Sequence, residues 1–64
     1  MKALQALKQK YLEDGRPAAV GIIDEAIAAL PTGEMTDVIN KAHALDPVLA
    51  DEINVIYLED QLGL

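Results

Sequence analysis

Three proline-bearing breaks govern what this chain can become: Gly15-Arg16-Pro17, Pro31-Thr32-Gly33 and Asp46-Pro47. Proline lacks the amide proton that a helix interior or a central strand needs, and glycine commonly follows a helix end. The stretches between the breaks are each long enough for roughly three to four helical turns. Within each, apolar residues recur at intervals of three and four, and no strand-length alternation appears. The pattern predicts an all-α fold, a small bundle of three to four short helices. A single helical domain spans 1–64, with helices at about 2–14, 17–30, 33–45 and 47–62.

Each helix carries its own signature. In the first, Leu4, Leu7 and Tyr11 form a stripe with Leu12 alongside. Its lysines lie early and Glu13 and Asp14 lie late, the reverse of what the helix dipole prefers, so a neighbouring acidic helix is expected to compensate them. The second, with Val20, Ile22, Ile23, Ala26, Ile27 and Leu30, is apolar round most of its circumference and is expected to be central. Gly21 in its interior marks either a close helix crossing or a bend. The third has one clean stripe, Met35, Val38, Ile39, Ala42 and Leu45, with Thr32 as its expected N-cap and Asp37 and Lys41 placed as an i, i+4 ion pair. Asp46-Pro47, a capping residue followed by a first-turn proline, is the strongest boundary, and Gly63 is placed to close the fourth helix.

That fourth helix has two apolar sides. Leu49, Ile53, Ile56 and Tyr57 form one, which the second and third helices can cover. Val48, Val55, Leu58 and Leu62 form another on roughly the opposite side, with seven-residue spacings like those of a coiled-coil seam and Asp51 in its middle. Either the first helix covers this outer stripe, bringing its lysines to Glu52 and Glu59, or another chain does. Length favours the second solution. A core of this size rarely supplies more than about 3–5 kcal/mol, and small domains are usually reinforced by disulfides, a metal or oligomerisation. With 64 residues and no cysteine, only the last is readily open to this chain. The interface residues expected are Val48, Val55, Leu58 and Leu62, in a homo-oligomer or with a protein partner.

The charge is −6 and unevenly placed. Four of the five basic residues, Lys2, Lys8, Lys10 and Arg16, precede position 17, and beyond it nine acids face Lys41 alone. The plain reading is a solvated acidic surface; the sharper one is a face for a basic partner. Direct contact with nucleic acid is disfavoured, because neutralising phosphates needs clustered cations. No apolar run is long enough to span a membrane, and Gln5, Lys8, Gln9 and Lys10 interrupt any secretory signal, so a cytoplasmic location is expected.

Chemistry is not signalled. The chain has no serine and no cysteine, and its one histidine, His43, lies at the edge of an apolar stripe near Asp37 and Asn40. A nucleophile, base and orienting acid have no obvious convergence. Asp51-Glu52 and Glu59-Asp60 lack the alternating ligands and central glycine of a calcium loop. No catalytic residue, cofactor or metal is expected, and the chain is not expected to be an enzyme.

Two resemblances follow from these residues. In size, acidity and helix number the chain resembles acyl carrier proteins, but their phosphopantetheine is carried on a serine, which is absent here. Ile22–Leu30, a short turn and Thr36–Leu45 resemble a helix-turn-helix, which would offer Asn40, Lys41 and His43 to DNA with Asp37 among them. The function expected is a small acidic protein–protein interaction module of adaptor or inhibitor type, self-associating through the last helix; the alternative is a DNA-linked regulator.

Overall fold

The computed structural model describes residues 2–63 and is all-α. Helix α1 runs Lys2–Glu13, α2 Pro17–Ala29, α3 Thr36–Leu45 and α4 Pro47–Leu62, with a 3-10 turn at Leu30–Thr32. No helix among these residues is long and apolar enough to cross a membrane. The core is aliphatic apart from Tyr11. Leu4 and Leu7 of α1, Ala19, Ile23 and Ala26 of α2, and Val38 and Ala42 of α3 meet Leu49, Ala50 and Ile53 of α4, with Leu30 and Met35 buried at the α2–α3 connection. Helix α2 packs against α1 on one flank and α3 on another, as its nearly all-round apolar surface requires.

The α1–α2 connection is a Schellman motif. The Gly15 amide donates to the Leu12 carbonyl and the Arg16 amide to the Tyr11 carbonyl, each at 3.1 Å, while Gly15 takes a left-handed φ of 68°. An apolar residue usually follows such a glycine and packs back on the helix. Here the Arg16 guanidinium does so, with its carbon 5.0 Å from the centre of the Tyr11 ring.

The start of the third helix differs from expectation. It begins at Thr36, not near Gly33, and Thr32 does not cap it. The Thr32 hydroxyl instead donates to the Ala29 carbonyl at 2.8 Å and accepts from the Glu34 amide at 3.3 Å. Gly33, with φ 76°, closes the turn that ends α2, so the glycine is a stop signal rather than a helix start. Residues 34 and 35 then lead into α3, with Met35 buried as their anchor.

Two further expectations are corrected. Lys41 reaches across to Glu25 of α2 at 2.6 Å instead of pairing with Asp37 on its own helix. A bond between elements links two packed helices, whereas an i, i+4 pair links one helix to itself. Gly21 is not a crossing point: α2 runs through it, and a Cβ there would meet no atom of another element within 4 Å.

Candidate protein-binding face

Helix α4 is fixed at its start by Asp46. One carboxylate oxygen accepts from the Val48 amide at 3.0 Å, and the other receives the Arg16 guanidinium at 2.8 Å. The Arg16 hydrogen bond, followed by that of Val48, holds the Asp46 carboxyl below its ordinary value. Asp46 therefore caps α4 and also ties it to the α1–α2 connection. At the far end Gly63, with φ 76°, closes the helix.

Between these ends α4 turns Leu49, Ala50 and Ile53 into the core and rests Ile56 and Tyr57 against its edge. The outer stripe stays uncovered: Val48 is 63% exposed, Val55 51%, Leu58 49% and Leu62 73%. The first helix does not bury this stripe. Leu4, Leu7 and Tyr11 find their places in the core, and α1 settles beside the stripe rather than over it.

The result is an open groove of about 530 Å³ between α1 and α4. Ala3 and Ala6 form one wall, Val48 and Val55 the other, and Leu7 and Ile56 also line it. The α1 wall was not evident from the apolar stripes. Its signal is the i, i+3 spacing of two alanines, whose small side chains leave the groove unfilled.

A polar cluster also lines the groove. Lys10 reaches Glu52 at 2.9 Å, and the Tyr11 hydroxyl donates to the other oxygen of the same carboxylate at 2.5 Å. The Lys10 ammonium also lies 5.3 Å from the centre of the Tyr11 ring. Burial, reinforced by the hydrogen bond to Glu52, pushes the Tyr11 hydroxyl up to about 12. Burial would raise the Glu52 carboxyl too, but the hydrogen bonds from Tyr11 and Lys10 outweigh it and hold the group below its ordinary value.

Ion pairing redistributes the surface charge. Lys8 pairs with Asp24 at 2.7 Å, so Lys8 and Lys10 of α1 are compensated by acids of α2 and α4. With Arg16–Asp46 and Lys41–Glu25, four of the five basic side chains are engaged within the fold, and Lys2 alone has no such bond among the described residues. Beside the outer stripe Asp51 and Glu59 are exposed, and neither is in an ion pair among the described residues.

His43, Asn40 and Lys41 are exposed on α3, with Lys41 held by Glu25. Among the described residues no three His, Asp or Glu side chains gather as metal ligands. No protein-family model, no curated protein and no solved structure matches this chain.

Proposed function

We propose that this protein is an interaction module that binds another polypeptide through the outer face of α4 and the groove beside it, and that it performs no catalysis of its own. One observation carries the reading: four large apolar side chains of one helix, Val48, Val55, Leu58 and Leu62, stand between 49 and 73% exposed along a single face. Scattered exposed apolar residues are ordinary, but a contiguous apolar strip with acidic neighbours has the character of an association surface. Self-association and binding to a different protein are two forms of this one activity.

The test is a photo-crosslinking residue placed at position 55 or 62 and, as a control, at the exposed polar position 40. The chain is then irradiated in the cells that produce it. Adducts from positions 55 and 62, absent from position 40, are expected. An adduct of twice the chain's mass identifies self-association, and any other mass a different partner. Absence of adducts from both α4 positions overturns the reading.

A further inference from the structure

We propose that the occupant of the α1/α4 groove is an amphipathic helix of another protein, with Lys or Arg flanking its apolar side, and not a second copy of this chain. The inference rests on the reading of α4 as a binding face and adds the chemistry of what is bound.

Shape argues for a helix. Ala3, Ala6, Leu7, Val48, Val55 and Ile56 make most of the groove's lining aliphatic, and the two alanines of α1 leave space that projecting Leu, Ile or Met side chains fill. Val48, Val55 and Leu62 repeat at seven-residue intervals, the spacing at which a partner helix returns the same side to the seam. A helix lying there touches α1 and α4 together.

Charge selects the kind of helix. Asp51 lines the groove, Glu59 lies further along the same side of α4, and Glu52 is already held by Lys10 and Tyr11. Helix α4 contains no basic residue. A second copy packed α4 against α4 brings the same acids to the seam from both sides. Of its own five cations only Lys2 is unpaired among the described residues, since Lys8, Lys10, Arg16 and Lys41 are engaged within the fold. A basic-flanked helix places its apolar side on the valines and leucines and its cations beside Asp51 and Glu59. Opposite potentials across a contact select partners and speed their encounter.

The probes are synthetic helical peptides of about four turns. They share one Leu/Ile side and differ only in flanks of Lys, Gln or Glu. A further peptide has the sequence of residues 47–62. Binding to the full chain is measured by fluorescence anisotropy. At about 50 mM salt the Lys-flanked peptide is expected to bind at least ~10-fold more tightly than the Gln-flanked one, with the Glu-flanked peptide weakest, and the differences to shrink at about 0.5 M salt. Asp51→Asn combined with Glu59→Gln is expected to remove the Lys advantage while leaving Gln-flanked binding unchanged. Val55→Glu, checked for helicity by circular dichroism, is expected to abolish binding of all of them. If it strengthens Lys-peptide binding instead, the contact is diffuse electrostatics outside the groove and the proposal is overturned.

Equal binding of the Lys and Gln peptides also overturns it. So does tighter binding of the 47–62 peptide than of the Lys peptide, which makes the occupant a second copy and leaves the interaction module standing. If no peptide binds, the proposal of a basic helix falls, and crosslinking at position 55 separately decides whether the face binds protein.

Discussion

Tyr11 and Glu52, forty-one residues apart in sequence, share a 2.5 Å hydrogen bond that joins the last turn of α1 to the middle of α4. The donor is a buried phenol and the acceptor an ionised carboxylate also held by Lys10. Such charge-assisted bonds are among the stronger ones a small fold makes. The bond also bears on the groove, since Glu52 and its other partner, Lys10, belong to the lining.

Removing the hydroxyl while keeping the ring isolates that bond. Tyr11→Phe is expected to lower stability by about 1.5–3 kcal/mol, the range for hydrogen bonds to charged groups. The measurement is the urea unfolding midpoint beside that of Tyr57→Phe, whose half-buried tyrosine is expected to shift little. Equal shifts in the two variants would show that the Tyr11 bond contributes nothing special.

Stability should fall at both ends of the pH scale, for different groups. Asp46 and Glu52 have folded values below their ordinary 3.8 and 4.5, so their contributions are complete above those values and are lost as pH falls through the depressed ones. Tyr11 is raised from 10.0 to about 12, so its contribution is complete below 10.0 and is lost as pH climbs toward 12. Denaturation midpoints across pH are expected to fall in both windows. In Tyr11→Phe the alkaline fall is expected to diminish, and the acid fall to shrink by the Glu52 share that depends on the Tyr11 bond while the Asp46 share remains. An unchanged alkaline profile in that variant would remove Tyr11 as the cause.

Asp46 performs two tasks that substitutions can separate. Asp46→Ala loses the cap on Val48 and the bridge to Arg16. Asp46→Asn keeps a capping oxygen and loses the charge pair, and Arg16→Ala leaves the cap but takes the guanidinium from the Tyr11 ring. Thermal midpoints are expected to be lowest for Asp46→Ala, with the other two above it. If Asp46→Ala is no worse than Asp46→Asn, the cap is immaterial.

Opposite sides of α4 should respond in opposite ways. Leu49 is fully buried, and its truncation to alanine is expected to cost about 2–5 kcal/mol. That is comparable to the whole stability a core of this size supplies, about 3–5 kcal/mol, so Leu49→Ala is expected to be substantially unfolded at room temperature. Val55→Glu, on the outer face, is expected to change stability by no more than about 0.5 kcal/mol. Circular dichroism melts of the two variants decide it; collapse of the Val55 variant would mean that the outer stripe is structural.

The glycines offer a matched pair. Gly21 lies inside α2 with open space where a Cβ would project, so Gly21→Ala is expected to stabilise by about 0.5–1 kcal/mol. Gly15 holds a φ of 68°, so Gly15→Ala is expected to destabilise by about 1–2 kcal/mol. Unfolding midpoints moving in the same direction would contradict this account of both positions.

The legible parts of this fold are those written in local chemistry. Asp46-Pro47 and Gly63 mark α4 because capping depends on the residue and its immediate neighbours. Leu49 and Ile53 lie within the core because their spacing leaves one face to bury. What escaped depends on elements meeting in space. Glu25 is preferred to Asp37 by Lys41 because α2 and α3 lie side by side, which no spacing within α3 encodes. Ala19 and Ala50 are buried, but alanine suits interior and surface alike and weights neither reading. Gly33 ends one element two residues after a proline, and the same pair suits the opening of the next. At the candidate face, the valines and leucines of α4 were visible as a stripe. Its alanine-walled groove needed the placement of α1.

The Tyr11–Glu52 bond also makes the molecule its own optical probe. With no tryptophan and two tyrosines in the chain, near-ultraviolet emission comes from Tyr11 and Tyr57 alone. A phenol that donates to a carboxylate can lose its proton in the excited state, so Tyr11 emission is expected to be weakened while α1 is docked on α4 and to rise when they part. Because Lys10 on the groove wall holds the same carboxylate, a ligand that disturbs this part of the groove is expected to register as a change in light, with no label attached.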